Sequence, residues 1–222
     1  MTRFADRIEA GRALGDALRN KGYADPVVVA LPRGGVPVGY EVALALSAPL
    51  DIVMVRKIGV PGHEELAAGA VVNGDAPQIV INDAVAAMAR LDRAGIERLA
   101  GAQLAEIARR RALYQGGRAP VPVEGRTVIV VDDGIATGAT MRASLKALAR
   151  RGPARLVLAV PVAPRDTLGV LEREVDEVVC LSAPADFLAV GQFYVNFGQV
   201  PDAEVTRLLD AASGQSGQPQ DD

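Results

Sequence analysis

Val128-Ile-Val-Val-Asp-Asp-Gly-Ile-Ala-Thr-Gly-Ala-Thr140 is the stretch from which the rest of the chain is best read. Its first four residues are apolar and β-branched, the composition of a strand buried on both faces of a parallel sheet. Asp132 and Asp133 stand where that strand ends. Gly134 and Gly138 frame a loop of small residues that includes Ile135, Ala136 and Thr137. From Ala139 onward, Met141, Leu145 and Leu148 recur at helical spacing, with Arg142, Lys146 and Arg150 opposite them. The predicted order is strand, acidic pair, loop, helix.

A glycine-containing loop that enters a helix directs unpaired backbone N–H groups and the positive end of the helix dipole at one spot, which favours an anion there. Thr137 and Thr140 add hydroxyl donors. The two carboxylates repel a phosphate placed beside them but accept hydrogen bonds from sugar hydroxyls. The stretch therefore suits a ligand with a phosphate at one end and a diol at the other, and ribose 5-phosphate is such a ligand. Asp-Asp-Gly alone is usually a turn and a threonine at a helix start is usually a cap. It is the complete order that makes the pattern specific.

A second strand, glycine loop and helix precede it. Residues 27–31 are another β-branched run, Pro32-Arg-Gly-Gly35 comes next, and a helix is predicted over 37–46. Gly34 and Gly35 permit close approach of a ligand to the backbone, and Arg33 supplies a fixed positive charge, so an oxyanion fits there. Residues 51–55 read as a third strand that delivers Arg56 and Lys57 at its end, two cations able to screen a departing anion. Residues 58–65, with Gly59, Pro61 and Gly62, show no clear period and read as a mobile lid; His63 within it has no assigned role. Two further strands are predicted over 66–72 and 78–81 with a turn at 73–77, and Asn82 or Asp83 caps the next helix.

Helices are expected over 4–21 and over 84–113, the latter broken near Leu91 and Asp92. Arg109, Arg110 and Arg111 are the densest basic run, and Glu106 stands one turn before Arg110, so the run reads as a structural feature of a helix end. Strands over 155–160 and 175–181 flank a helix over 165–173. This alternation predicts an α/β fold, a doubly wound and mainly parallel sheet flanked by helices, with ligands at the carboxyl ends of the strands.

The whole composition agrees. Half of the residues are apolar but only 4% are aromatic, so the core must be built from Ala, Val and Leu, as in a parallel sheet covered by helices. A formal charge of −3 gives no global drive towards nucleic acid or anionic membranes. One cysteine, Cys180, and one histidine exclude an intramolecular disulfide and a cysteine-rich or histidine-clustered metal site. Without an apolar signal core or a membrane-length apolar run, the expected location is cytoplasmic. Phe187, Phe193, Tyr194 and Phe197 cluster in a chain that has four Phe and four Tyr in all.

The Val128–Thr140 stretch closely resembles the signature of the type I phosphoribosyltransferases, which bind 5-phosphoribosyl 1-diphosphate (PRPP). By that resemblance Asp132 and Asp133 hold the ribose 2′ and 3′ hydroxyls, and Gly134, Ile135, Ala136, Thr137, Gly138, Ala139 and Thr140 form the PRPP loop, with 136–140 around the 5′-phosphate. Arg33, Gly34 and Gly35 match the loop that binds pyrophosphate, where a non-proline cis peptide is often found. Arg56 and Lys57 match the basic residues that follow the corresponding strand in hypoxanthine-type members. Residues 184–194 are similar to the hood of purine enzymes, which makes Phe187, Phe193 and Tyr194 the expected base-binding rings, with Phe187 stacking on the base. Residues 192–196 lack the acidic residue of the purine pattern.

The resemblance implies a single phosphoribosyltransferase-like domain over 1–211, with a small hood lobe at about 181–201, a helical insertion at about 84–114 and a disordered tail over 212–222. It implies transfer of phosphoribosyl from PRPP to a nitrogen acceptor such as a nucleobase, with Mg2+ held mainly through PRPP, no protein metal cage, and a homodimer. Two other readings are a PRPP-sensing regulator, with the basic run at 109–111 as a partner surface, and hydrolysis of a phosphoribosyl compound.

Overall fold

The structure, a computed structural model, describes residues 3–72 and 78–215. In chain order the elements are α1 (Arg7–Arg19), β1 (Pro26–Ala30), α2 (Gly35–Leu46), β2 (Leu50–Ile52), β3 (Val55–Val60), β4 (His63–Val72), β5 (Gln78–Ile81), α3 (Asp83–Met88), α4 (Arg93–Gln115), β6 (Thr127–Val131), α5 (Ala139–Ala149), β7 (Arg155–Val162), α6 (Arg165–Leu171), β8 (Glu177–Ser182) and α7 (Asp202–Gln215). Five strands form a parallel sheet in the order β2-β1-β6-β7-β8, and β3, β4 and β5 form a separate antiparallel sheet. The fold is α/β, with a doubly wound, mainly parallel sheet flanked by helices.

Strand alternation divides the core. Val28 and Ala30 of β1, Ile129 and Val131 of β6, and Val157 and Ala159 of β7 face one side, where they meet Leu14 and Leu18 of α1, Val38 and Val42 of α2, and Val205 and Leu209 of α7. Val27 and Val29, Val128 and Val130, and Leu156 and Leu158 face the other side, against Met141, Leu145 and Leu148 of α5 and Leu168 and Leu171 of α6. Because both faces are covered, these strands read as unbroken apolar runs. The register is fixed in step: Val28 lies beside Ile129, and Ile129 beside Val157.

Helix ends follow local chemistry. The Asp6 side chain accepts from the Ile8 and Glu9 amides at the start of α1, Asn82 accepts from Val85, and Asp92 accepts from Gly95 at 2.7 Å. The break between α3 and α4 thus falls where Asp92 caps the longer helix.

Three expectations need correction. The strand placed at 51–55 is two elements: β2 ends at Ile52, and Val55 already opens β3 in the antiparallel sheet. The segment 58–65, expected to lack a regular period, is instead the reversal between paired β3 and β4, with Val60 opposite His63. Pro61 and Gly62 form the turn, while Gly59 lies within β3 where the register shifts. The disordered tail does not begin at 212, because α7 runs to Gln215 and Ala212 is buried. The turn at 73–77 and the tail at 216–222 lie outside the described residues. Among the described residues no helix is long and apolar enough to cross a membrane.

Candidate active site

Next to β1 in the sheet stand β2 on one side and β6 on the other. The chain leaving β1 returns through α2 to β2, whereas the chain leaving β6 returns through α5 to β7, so the two connections diverge from adjacent strand ends. Such a divergence opens a crevice at the carboxyl ends of the strands. Both glycine loops of the sequence meet there. The Leu31 amide donates to the Val131 carbonyl at 3.0 Å, and the Gly35 amide closes the loop onto the Leu31 carbonyl at 3.0 Å. The Pro32–Arg33 peptide is cis. Gly34 lies so close to the Asp133 carboxylate that a Cβ would overlap Oδ2, which excludes any side chain at this position without displacing the acid.

The two carboxylates are committed by one oxygen each. Asp132 Oδ1 accepts from the Asp133 amide at 2.9 Å, and Asp133 Oδ2 accepts from Arg7 Nε at 2.7 Å. Tyr194 donates its hydroxyl to the Asp133 carbonyl at 2.5 Å. Burial, then the neighbouring Asp133 charge, pushes the Asp132 carboxyl well above the usual range. Burial also raises Asp133, and the Arg7 guanidinium works against that rise. Burial therefore outweighs the Arg7 guanidinium and the Asp133 amide, and the pair holds a proton more readily than free carboxylates do.

Beyond the acids, the loop reaches α5 through Gly138, whose φ of 75° lies in the left-handed region that favours glycine. The Ile135 amide is tied to the Val162 carbonyl at 3.0 Å and Thr167 donates to the Ala136 carbonyl at 2.8 Å, so the loop is braced from β7 and α6. Ala136, Thr137, Ala139 and Thr140 are exposed around the start of α5, and Gly138 is half-buried. The first turn of α5 is therefore open to solvent, a geometry that suits an anion, with two threonine hydroxyls beside it. A cleft of about 730 Å3 continues past the loop, lined in part by Lys57, Thr137, Thr140, Arg142, Lys146 and Thr167.

One short loop thus joins the acid pair to the exposed start of α5, and residues 5–197 match the model of the phosphoribosyl transferase domain. The chain belongs to that family. It is 46% identical over 212 residues to a protein of Mycobacterium tuberculosis strain H37Rv that is provisionally named a phosphoribosyl transferase, and the match covers 96% of this chain and 47% of the relative. The chain therefore spans about half the length of the curated relatives it matches. The crystal structure of TT1426 from Thermus thermophilus is similar at a TM-score of 0.84 and 43% identity, covering 94% of this chain and 98% of that one.

The other residues that the phosphoribosyltransferase resemblance singled out are less uniformly placed. Arg33 is partly buried and its guanidinium lies 3.6 Å from Asp202 at the start of α7, which also accepts the Tyr114 hydroxyl at 2.6 Å. Arg56 and Lys57 do not stand together at a strand end. They are successive residues of β3, so they point to opposite faces. Arg56 meets Glu106 of α4 at 3.2 Å, while Lys57 faces the cleft beside the loop that enters α5. Glu106 also pairs with Arg109 and Arg110, and these hydrogen bonds hold its carboxyl down to about 2. Two residues of the basic run at 109–111 are thereby engaged on their own helix, and Arg111 donates to Gln115 at 2.6 Å.

In the segment between β8 and α7, Phe193 is 1% exposed and Tyr194 3%, packed with Ala10 and Val162. These two of the three expected base-binding rings are thus buried within the hood. Phe187 is partly exposed but stacks on Phe193 at 5.4 Å. Arg7, Tyr114 and Asp202 join the site without any signal in the sequence. Each is distant along the chain from the residue it touches, and no local motif marks it. Among the described residues no group of three His, Cys, Asp or Glu is placed to hold a metal ion.

Proposed function

We propose that the chain transfers the 5-phosphoribosyl group of PRPP to a nitrogen acceptor, a nucleobase by family resemblance, with release of pyrophosphate. The observation that supports this reading is that Gly34, after β1, lies against the Asp133 carboxylate, after the neighbouring β6, and that one short loop joins the acid pair to the exposed start of α5. Asp132 and Asp133 accept the ribose hydroxyls, and residues 136–140 hold the 5′-phosphate with backbone amides and the Thr137 and Thr140 hydroxyls. Arg33, Gly34 and Gly35 hold the pyrophosphate, and Lys57 adds positive charge from β3.

In the reaction the anomeric C–O bond to pyrophosphate breaks, a C–N bond forms to the acceptor, and the acceptor's proton passes to solvent. The transition state resembles an oxocarbenium ion, so catalysis rests on positioning, on stabilising the departing anion and on excluding water. No protein nucleophile takes part. The oxygen-rich donor set without a protein cage fits a hard cation that arrives on the oxygens of PRPP, and Mg2+ bound there neutralises charge on the leaving group. A homodimer in the cytoplasm belongs to the same reading.

A second reading has a specific observation behind it. Phe193 and Tyr194 are buried and Phe187 is stacked on a neighbour, so the place expected to bind a base offers few free rings. This favours a PRPP-binding regulator with little turnover. Incubation with PRPP, Mg2+ and a panel of nucleobases and related nitrogen heterocycles separates the two. Pyrophosphate released only in the presence of one acceptor is expected for the transferase. Binding of PRPP without release across the panel supports the regulator, and release with no acceptor added points to hydrolysis.

A further inference from the structure

Arg7 lies in the first turn of α1, far in sequence from the acids it meets, yet its side chain is only 12% exposed. Its Nε donates to Asp133 Oδ2 at 2.7 Å, its NH1 donates to the Gly198 carbonyl at 2.8 Å, and its guanidinium lies 4.0 Å from the centre of the Phe197 ring. Three elements hold it there. Gly11 and Gly15 bring α1 so close to α2 that Cβ atoms at these positions would lie 2.8 Å from Glu41 Cβ and 2.6 Å from Ala45 Cβ. Helix α2 begins at Gly35, directly after the loop that rests on Asp133. The segment before α1 is tied to the hood by the Phe4 amide on the Phe193 carbonyl at 2.9 Å and the Val195 amide on the Phe4 carbonyl at 2.8 Å.

We propose that Arg7 is a positioning residue of the ribose site: by committing Asp133 Oδ2 it leaves Oδ1 as a fixed acceptor for one ribose hydroxyl. This rests on the phosphoribosyltransferase reading of the acid pair. Asp132 Oδ1 is likewise committed to the Asp133 amide and the two carboxyl groups hydrogen-bond each other, so Arg7 fixes which Asp133 oxygen turns towards a diol that takes the place of that mutual contact. Asp133 faces Arg7 from α1, Asp132 beside it, and Tyr194 from the hood, so Arg7 is the cation that opposes the repulsion of the two acids. Its charge pulls Asp133 back from the rise that burial imposes. Without it, Asp133 would keep its proton to higher pH, and a protonated carboxyl is a poorer acceptor.

The test is calorimetry of PRPP with Mg2+ binding to the full chain, comparing wild type, Arg7→Met and Arg7→Lys between about pH 6 and pH 8.5, with thermal melts to verify folding. Relative to wild type, Arg7→Met is expected to lose about tenfold in affinity, the order of one charge-assisted hydrogen bond, with the loss larger at the acid end than at the alkaline end. Arg7→Lys keeps the charge but not the forked geometry, so its loss is smaller and does not vary with pH. Affinity unchanged or tighter in Arg7→Met, a loss equal at every pH, or a loss as large in Arg7→Lys overturns the proposal. Failure of the wild type to bind PRPP overturns the reading of the acid pair and this inference with it, whereas binding by wild type with any of those variant results overturns this inference alone.

Discussion

Burial and the adjacent Asp133 carboxylate both oppose ionisation of Asp132, so its carboxyl titrates well above its usual range in the folded chain. The folded state then holds the proton more tightly than the unfolded state. The stability this contributes is fully present below the unfolded pKa and is lost as pH rises through the folded one. Asn at this position has no charge to bury. Asp132→Asn is therefore expected to raise the melting temperature by about 2–5 °C near pH 8, and the gain should shrink towards about pH 4. A melt series across that range checks it, and a lower melting temperature at the alkaline end would contradict it. The same substitution weakens a ribose acceptor, so function and stability pull apart at this one residue.

At the scale of elements, most of the parallel sheet is legible in the sequence because doubly buried strands are continuous β-branched runs and the helices between them carry apolar stripes. The run 50–55 misleads because composition cannot show where a strand exchanges one partner for another. Leu50, Asp51 and Ile52 pair with β1, and Val55 pairs with Val72. The pairing with β1 ends at Ile52, and Asp51 within it accepts from the Ile52 and Val121 amides and from Gln115. Residues 58–65 mislead for a related reason: Gly59, Pro61 and Gly62 signal a reversal but say nothing about whether the flanks pair.

Helix α7 is absent from the sequence-based expectations although Val205, Leu208, Leu209 and Ala212 follow helical spacing. Its role is to close the sheet face beside α2 and α4 and to bring Asp202 to Arg33 and Tyr114. Leu208 is 5% exposed in that contact, so Leu208→Ala should cost about 2–4 kcal/mol of unfolding free energy. A urea titration measures it, and a change below about 1 kcal/mol would mean that α7 is not part of the core.

Across the whole molecule, the site follows from topology. The strand order places the ends of β1 and β6 side by side, and the two loops that leave them carry the pyrophosphate and ribose-phosphate halves of the proposed site. Both halves can be read from the sequence because each is a local strand, loop and helix. Arg7 cannot be read there, because its position depends on how α1 packs on α2. The acceptor side is equally hidden: Phe193 and Tyr194 have the chemistry of base-stacking rings, and only the packing of the hood against Ala10 and Val162 shows that they are buried.

Everything proposed for the site depends on the acid pair holding the ribose of PRPP. Calorimetry of PRPP with Mg2+ against wild type and the Asp132→Asn, Asp133→Asn double variant tests this most directly, with circular dichroism to verify that both are folded. Measurable binding is expected for the wild type, with a loss of at least about a hundredfold in the folded double variant, as for two acceptors removed together. Equal affinity in the two proteins would contradict it.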